Sequence, residues 1–61
     1  MNEPKRILVV DDDPGVCGLL TSVLTQRGLA VDAATGGDEA LRYLREHQYA
    51  VIILDLLMPV V

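Results

Sequence analysis

Cysteine occurs once, at position 17, so no disulfide within the chain can compensate for a small core. Lysine and arginine total five against nine acidic residues, and they are scattered. With a net charge of -4 and a pI near 4.5, that distribution argues against a nucleic-acid-binding surface. No apolar run approaches the ~18 residues of a membrane span, and no signal peptide opens the chain. The expectation is a soluble, cytoplasmic protein that does not engage membrane. Internal repeats and low-complexity segments do not occur either. What remains is a chain of 61 residues, 51% of them apolar, which is too hydrophobic for a disordered tail. It makes one small domain at most. A domain of this size buries only roughly 60% of its unfolded surface.

Ile7-Leu8-Val9-Val10 is a short, uninterrupted apolar run of the kind that suits a parallel strand covered on both faces. It stops at Asp11-Asp12-Asp13, and Pro14 after an aspartate cap marks a helix start. Val16, Leu19, Leu20, Val23 and Leu24 then form an apolar helical stripe, with Thr21, Ser22, Thr25 and Gln26 expected outward. Cys17 lies off the centre of that stripe and is expected to be half-buried. Gly28 stands where a left-handed C-terminal residue is wanted. Leu29 to Ala34 reads as a second strand, polar only at Asp32. A Thr35-Gly36-Gly37 turn opens a second helix with Thr35 and Asp38 as a capping pair and Ala40, Leu41 and Leu44 as its apolar face. Tyr49 to Leu54 is a third strand. The β-α-β-α-β order implies parallel strands with right-handed crossovers.

Asp11 and Asp12 end the first strand and Asp55 ends the third, at the edge where open α/β sheets bind ligands. If those strands are neighbours, about 4.8 Å apart, three carboxylates converge. Crowded carboxylates raise one another's pKa values, and a hard divalent cation such as Mg²⁺ relieves the repulsion. The bland alternative is that Asp-Asp-Asp-Pro is a solvated loop and helix cap. A third aspartate at the matching end of a second buried strand is hard to explain that way.

In order and spacing, "ILVVDDDP", "GGDEAL" and "VIILDLLMP" resemble the receiver domain of two-component response regulators, over essentially the whole chain. The resemblance implies a flavodoxin-like α/β fold with strand order 2-1-3 and a signalling module rather than an enzyme. Asp55 would be the phosphoacceptor, receiving a phosphoryl group from a sensor histidine kinase. Asp12 would ligate Mg²⁺ directly, Asp11 largely through water, and the Leu57 main-chain carbonyl would be a third protein ligand. Asp13 is assigned to the helix cap. A complete receiver resembles this pattern doubled in length, with five strands. The expectation is therefore a single truncated receiver domain, 1–61, without the hydroxyl residue, lysine and aromatic switch of the second half.

Gly36-Gly37-Asp38-Glu39 also spells the start of the diguanylate cyclase signature, a remote alternative in which the motif sits on a hairpin. Here it is read as a helix start. His47 is read as electrostatic capping, Tyr43 and Tyr49 as walls of the second helix and third strand, and Pro59 as fixing the loop beyond Asp55. The uncharged Ala50 to Leu54 edge suggests a homodimer through the third strand, with Leu56 to Val61 crossing to the partner. A purely structural dimerisation module, with no metal or phosphoryl chemistry, is the competing reading.

Overall fold

The computed structural model describes residues 5–55. Their elements are β1 (Arg6–Val10), α1 (Pro14–Gln26), β2 (Ala30–Ala34), α2 (Gly37–Glu46) and β3 (Val51–Leu54). The three strands form a parallel sheet in the order β2-β1-β3, as the resemblance implies. β1 is central, flanked by a strand on each side, and is the most buried strand: Leu8 and Val9 are fully buried, and Ile7 and Val10 nearly so.

Alternation along β1 divides the core into two layers. Ile7 and Val9 pack with Cys17 on the α1 side, where Leu20, Leu24, Val31 and Ile53 close around them. Leu8 and Val10 pack with Ala34 and Ala40 on the α2 side, against Tyr43 and Tyr49. The tyrosines thus wall this layer as expected.

Asp13 caps α1 by accepting a hydrogen bond from the Gly15 N–H at 2.8 Å, and Pro14 supplies the first turn. Gly28 ends the helix at φ 83°, the left-handed conformation, while its N–H donates to Thr25 O and that of Leu29 to Leu24 O.

Two expectations about helix faces need correction. Cys17 is 4% exposed and sits at the centre of the buried face of α1, not at its margin. Val16, Leu19 and Val23 are exposed, at 37%, 64% and 43%. The inward stripe is Cys17, Leu20, Thr21 and Leu24, again spaced i, i+3, i+4 and i+7, so Thr21 is turned partly inward. α1 carries apolar residues around more than half its circumference, and its seat over β1 and β2 selects the stripe. In α2, Leu41 and Leu44 are exposed and Tyr43 joins Ala40 on the inner face. The cap also differs. Gly36 is the N-cap and makes no side-chain bond, while Glu39 accepts from the Thr35 N–H at 3.0 Å. The glutamate therefore reaches back in place of a Thr35–Asp38 pair. Because Gly36-Gly37-Asp38-Glu39 opens a helix, the hairpin of the cyclase reading is excluded.

Candidate functional site: three aspartates at one sheet edge

The main-chain ladder, not side-chain chance, brings the acids together. The Asp11 N–H donates to Ala34 O at 3.0 Å, carrying the β1–β2 ladder one residue past the strand. The Asp55 N–H donates to Val10 O at 3.0 Å, which does the same for β1–β3. Asp11 and Asp55 are thereby fixed beside each other at the carboxyl edge, and Asp12 follows at the turn into α1. One carboxylate oxygen from each of Asp11, Asp12 and Asp55 lies within 4.8 Å of the others.

The three acids are not equivalent. Asp11 is buried, Asp55 half-buried and Asp12 exposed. The Asp11 carboxylate accepts from the Asp13 N–H at 2.9 Å, which fixes its orientation. That bond lowers its pKa, but burial and the negative charges of Asp55 and Asp12 outweigh it, and the net displacement is upward. Folding therefore makes the Asp11 carboxylate harder to ionise. Stability contributed by its protonated form is lost as the pH rises through its folded pKa.

Cys17 supports the cluster from beneath. Its thiol donates to the Asp11 carbonyl at 3.4 Å, with the Ala34 carbonyl at 3.8 Å, so it touches the ends of both β1 and β2. Burial first, and then the Asp11 charge, push the thiol pKa up, which makes it a packing group rather than a nucleophile. Sequence reasoning missed this contact, since a cysteine six residues beyond an aspartate carries no local signal of it.

A second polar group lies away from the acids. Asp32 accepts from the Arg6 guanidinium at 2.8 Å and from the Tyr49 hydroxyl at 2.7 Å. Burial alone would raise the Asp32 pKa, but the bonds from Tyr49 and Arg6 hold it below the ordinary carboxylate value. The Tyr49 phenol is pushed up to about 12 by burial and by the Asp32 carboxylate. These contacts tie β2 to β1 and to the entry of β3. An open hollow of about 850 Å³ adjoins them, lined by Lys5, His47 and Ala50 among others, at the end of the sheet opposite the acids.

Chemically, the cluster offers three hard oxygen donors at hydrogen-bonded strand ends, one of them already showing the cost of crowding. That donor set fits a small divalent cation, which commonly takes one or two carboxylates and keeps several waters. Asp13 stays with the helix cap, as expected. Leu57, expected to add a carbonyl ligand, and Pro59 lie outside the described residues.

Comparison with known proteins agrees with this arrangement. The family model described as the response regulator receiver domain matches residues 7–61. Protein Rrf1 of Nitratidesulfovibrio vulgaris is 41% identical over 56 residues, covering 92% of this chain and 41% of that protein. The transcriptional regulatory protein ResD of Bacillus subtilis is 47% identical over 58 residues, covering 95% of this chain and 24% of that protein. The DNA-binding response regulator MtrA of Mycolicibacterium smegmatis is 42% identical over 55 residues, again spanning 24% of the relative. The chain thus spans less than half the length of these relatives. No solved structure matches it. With β1 and β3 delivering their terminal acids to one edge and the family model covering nearly every residue, the chain belongs to the response regulator receiver domain family.

Proposed function

We propose that these residues form the acid pocket of a phosphorelay receiver, in which Asp55 accepts a phosphoryl group from a sensor histidine kinase. The observation that carries this reading is the convergence of Asp11, Asp12 and Asp55 within 4.8 Å at the carboxyl edge of the sheet. In the transfer, an Asp55 carboxylate oxygen forms the new bond to phosphorus. The phosphorus–nitrogen bond of the donor phosphohistidine breaks, its electron pair staying on the imidazole. Asp11, Asp12 and Asp55 are the residues that would hold Mg²⁺, and the Leu57 main-chain carbonyl, outside the described residues, is the further ligand that the family resemblance implies. Bound there, the cation would neutralise the charge that three carboxylates and a phosphoryl group bring together.

Intact-mass spectrometry after incubation with an acyl phosphate and Mg²⁺ tests the assignment. The expected result is a Mg²⁺-dependent gain of one phosphoryl group that Asp55→Asn abolishes. A gain that persists in Asp55→Asn overturns it.

A second reading concerns association, and β3 carries it. Val51, Ile52 and Leu54 are 49%, 45% and 57% exposed, in a strand without a charged residue. We infer that the chain forms a homodimer through this strand.

A further inference from the structure

The Asp11-Asp12-Asp13 turn carries two of the three acids, and one residue of α1 grips it twice. The Cys17 main-chain N–H donates to the Asp13 carbonyl at 3.1 Å, and the Cys17 thiol donates to the Asp11 carbonyl at 3.4 Å. The same sulfur lies 3.8 Å from the Ala34 carbonyl, which also accepts the Asp11 N–H. A single side chain therefore meets the ends of β1 and β2 where the acid edge begins. Among the described residues no other donor meets the Asp11 carbonyl.

That carbonyl belongs to the rigid peptide plane joining Asp11 to Asp12. Rotation of the plane swings the Asp12 main chain, and with it a carboxylate that is exposed and so not held by packing. The Asp11 carboxylate has its own tether, the Asp13 N–H at 2.9 Å. The plane is held by the thiol. Asp11 and Cys17 are both buried, so turning the carbonyl away would leave donor and acceptor unsatisfied where water does not reach them. Burial and the Asp11 charge also keep the thiol in its protonated, donating form.

Resting on the reading of Asp11, Asp12 and Asp55 as a cation site, we propose that Cys17 is a positioning residue for that site. By holding the Asp11 carbonyl, its thiol sets how the Asp11 and Asp12 carboxylates stand toward each other. It touches no cation itself. Outer-shell partners of metal ligands typically carry 10–100-fold in affinity, and a thiol is a weak donor, so its share falls at the low end, roughly tenfold.

Two variants separate positioning from packing against Ile7 and Val9. Cys17→Ala removes the donor, whereas Cys17→Ser keeps one but sets a hydroxyl in an apolar layer. Urea unfolding without metal should show both less stable than the parent. Mg²⁺ titration followed by the amide shifts of residues 11–13 should separate them. The dissociation constant should rise roughly tenfold in Cys17→Ala and stay within about twofold of the parent in Cys17→Ser. The Asp11 carbonyl ¹³C shift should move upfield in Cys17→Ala and hold in Cys17→Ser. The parent itself supplies a reading that needs no variant. Its one thiol should give an S–H Raman band at the lowered frequency of a hydrogen-bonded thiol. An unchanged affinity in folded Cys17→Ala, an equal loss in both variants, or the band of a non-bonded thiol overturns the positioning role. A parent that binds no Mg²⁺, or binds it without shifts at residues 11–13 and Asp55, overturns the cation site instead.

Discussion

Replacing Tyr49 by phenylalanine isolates one bond in a chain with few to spare. The ring stays on Leu8, Val10, Ala34 and Ala40, so the packing of that layer is unchanged. What is lost is the 2.7 Å hydroxyl bond to the Asp32 carboxylate. Hydrogen bonds to charged groups contribute about 1.5–3 kcal/mol. The Asp32 side chain is 19% exposed and keeps the Arg6 guanidinium, which places the loss at the low end, about 1.5 kcal/mol. For a domain of this size each kcal/mol corresponds to roughly 4–8 °C, so the melting temperature should fall by roughly 6–12 °C. Thermal and urea unfolding followed by far-UV circular dichroism at pH 7 measure it. The pH dependence has a defined sign. The Asp32 pKa is depressed, so its contribution is present above the ordinary carboxylate range and lost as the pH falls through the folded value. The Tyr49 pKa is raised to about 12, so its contribution is complete below about 10 and lost as the pH rises through 12. Tyr49→Phe should therefore differ from the parent most between those limits and converge with it at both extremes. A change below about 0.5 kcal/mol at pH 7, or a difference that grows at low pH, would refute the network.

Other expectations follow from the acid edge and its helix. Asp55→Asn removes one charge from the crowded cluster, so the metal-free chain should melt at the same temperature or a few degrees higher. The stabilisation gained on adding Mg²⁺ should shrink, and a clear drop in the metal-free melting temperature counts against a repulsive cluster. Asp13→Ala removes the cap bond to Gly15 N–H and should cost about 1 kcal/mol, read by urea unfolding, with Mg²⁺ binding retained. Absorbance at 295 nm should show one of the two tyrosines ionising only as the pH nears 12. Completion of both below pH 11 in the folded chain contradicts the Asp32–Tyr49 bond.

What could be read from the sequence was whatever is encoded locally. The apolar runs, the aspartates that end them, the Asp13-Pro14 start and Gly28 each depend on a few neighbouring residues, and parallel strands followed from their alternation with helices, whereas the order 2-1-3 came from the resemblance to the receiver family. The three acids were legible because strand ends and carboxylates coincide. The phase of α1 was not. Val16, Cys17, Leu19, Leu20, Val23 and Leu24 offer two overlapping stripes, and only docking over β1 and β2 turns Cys17 in and Leu19 out. Nor was the Arg6–Asp32–Tyr49 group, whose members lie 26 and 17 residues apart and which looks in sequence like one polar interruption of β2. In α2, Leu41 and Leu44 follow the helical period as well as Ala40 does. Tyr43 takes the inner face because its ring fills the layer above Leu8 and Val10.

The central claim is that Asp11, Asp12 and Asp55 form one cation site, and paramagnetic broadening by Mn²⁺ tests it most directly. In a ¹H–¹⁵N correlation spectrum titrated with substoichiometric Mn²⁺, the amides of residues 11–13 and Asp55 should broaden first and together, and excess Mg²⁺ should restore them. Broadening that begins instead at Asp38 and Glu39, or that spreads evenly over all the acidic residues, would contradict the site.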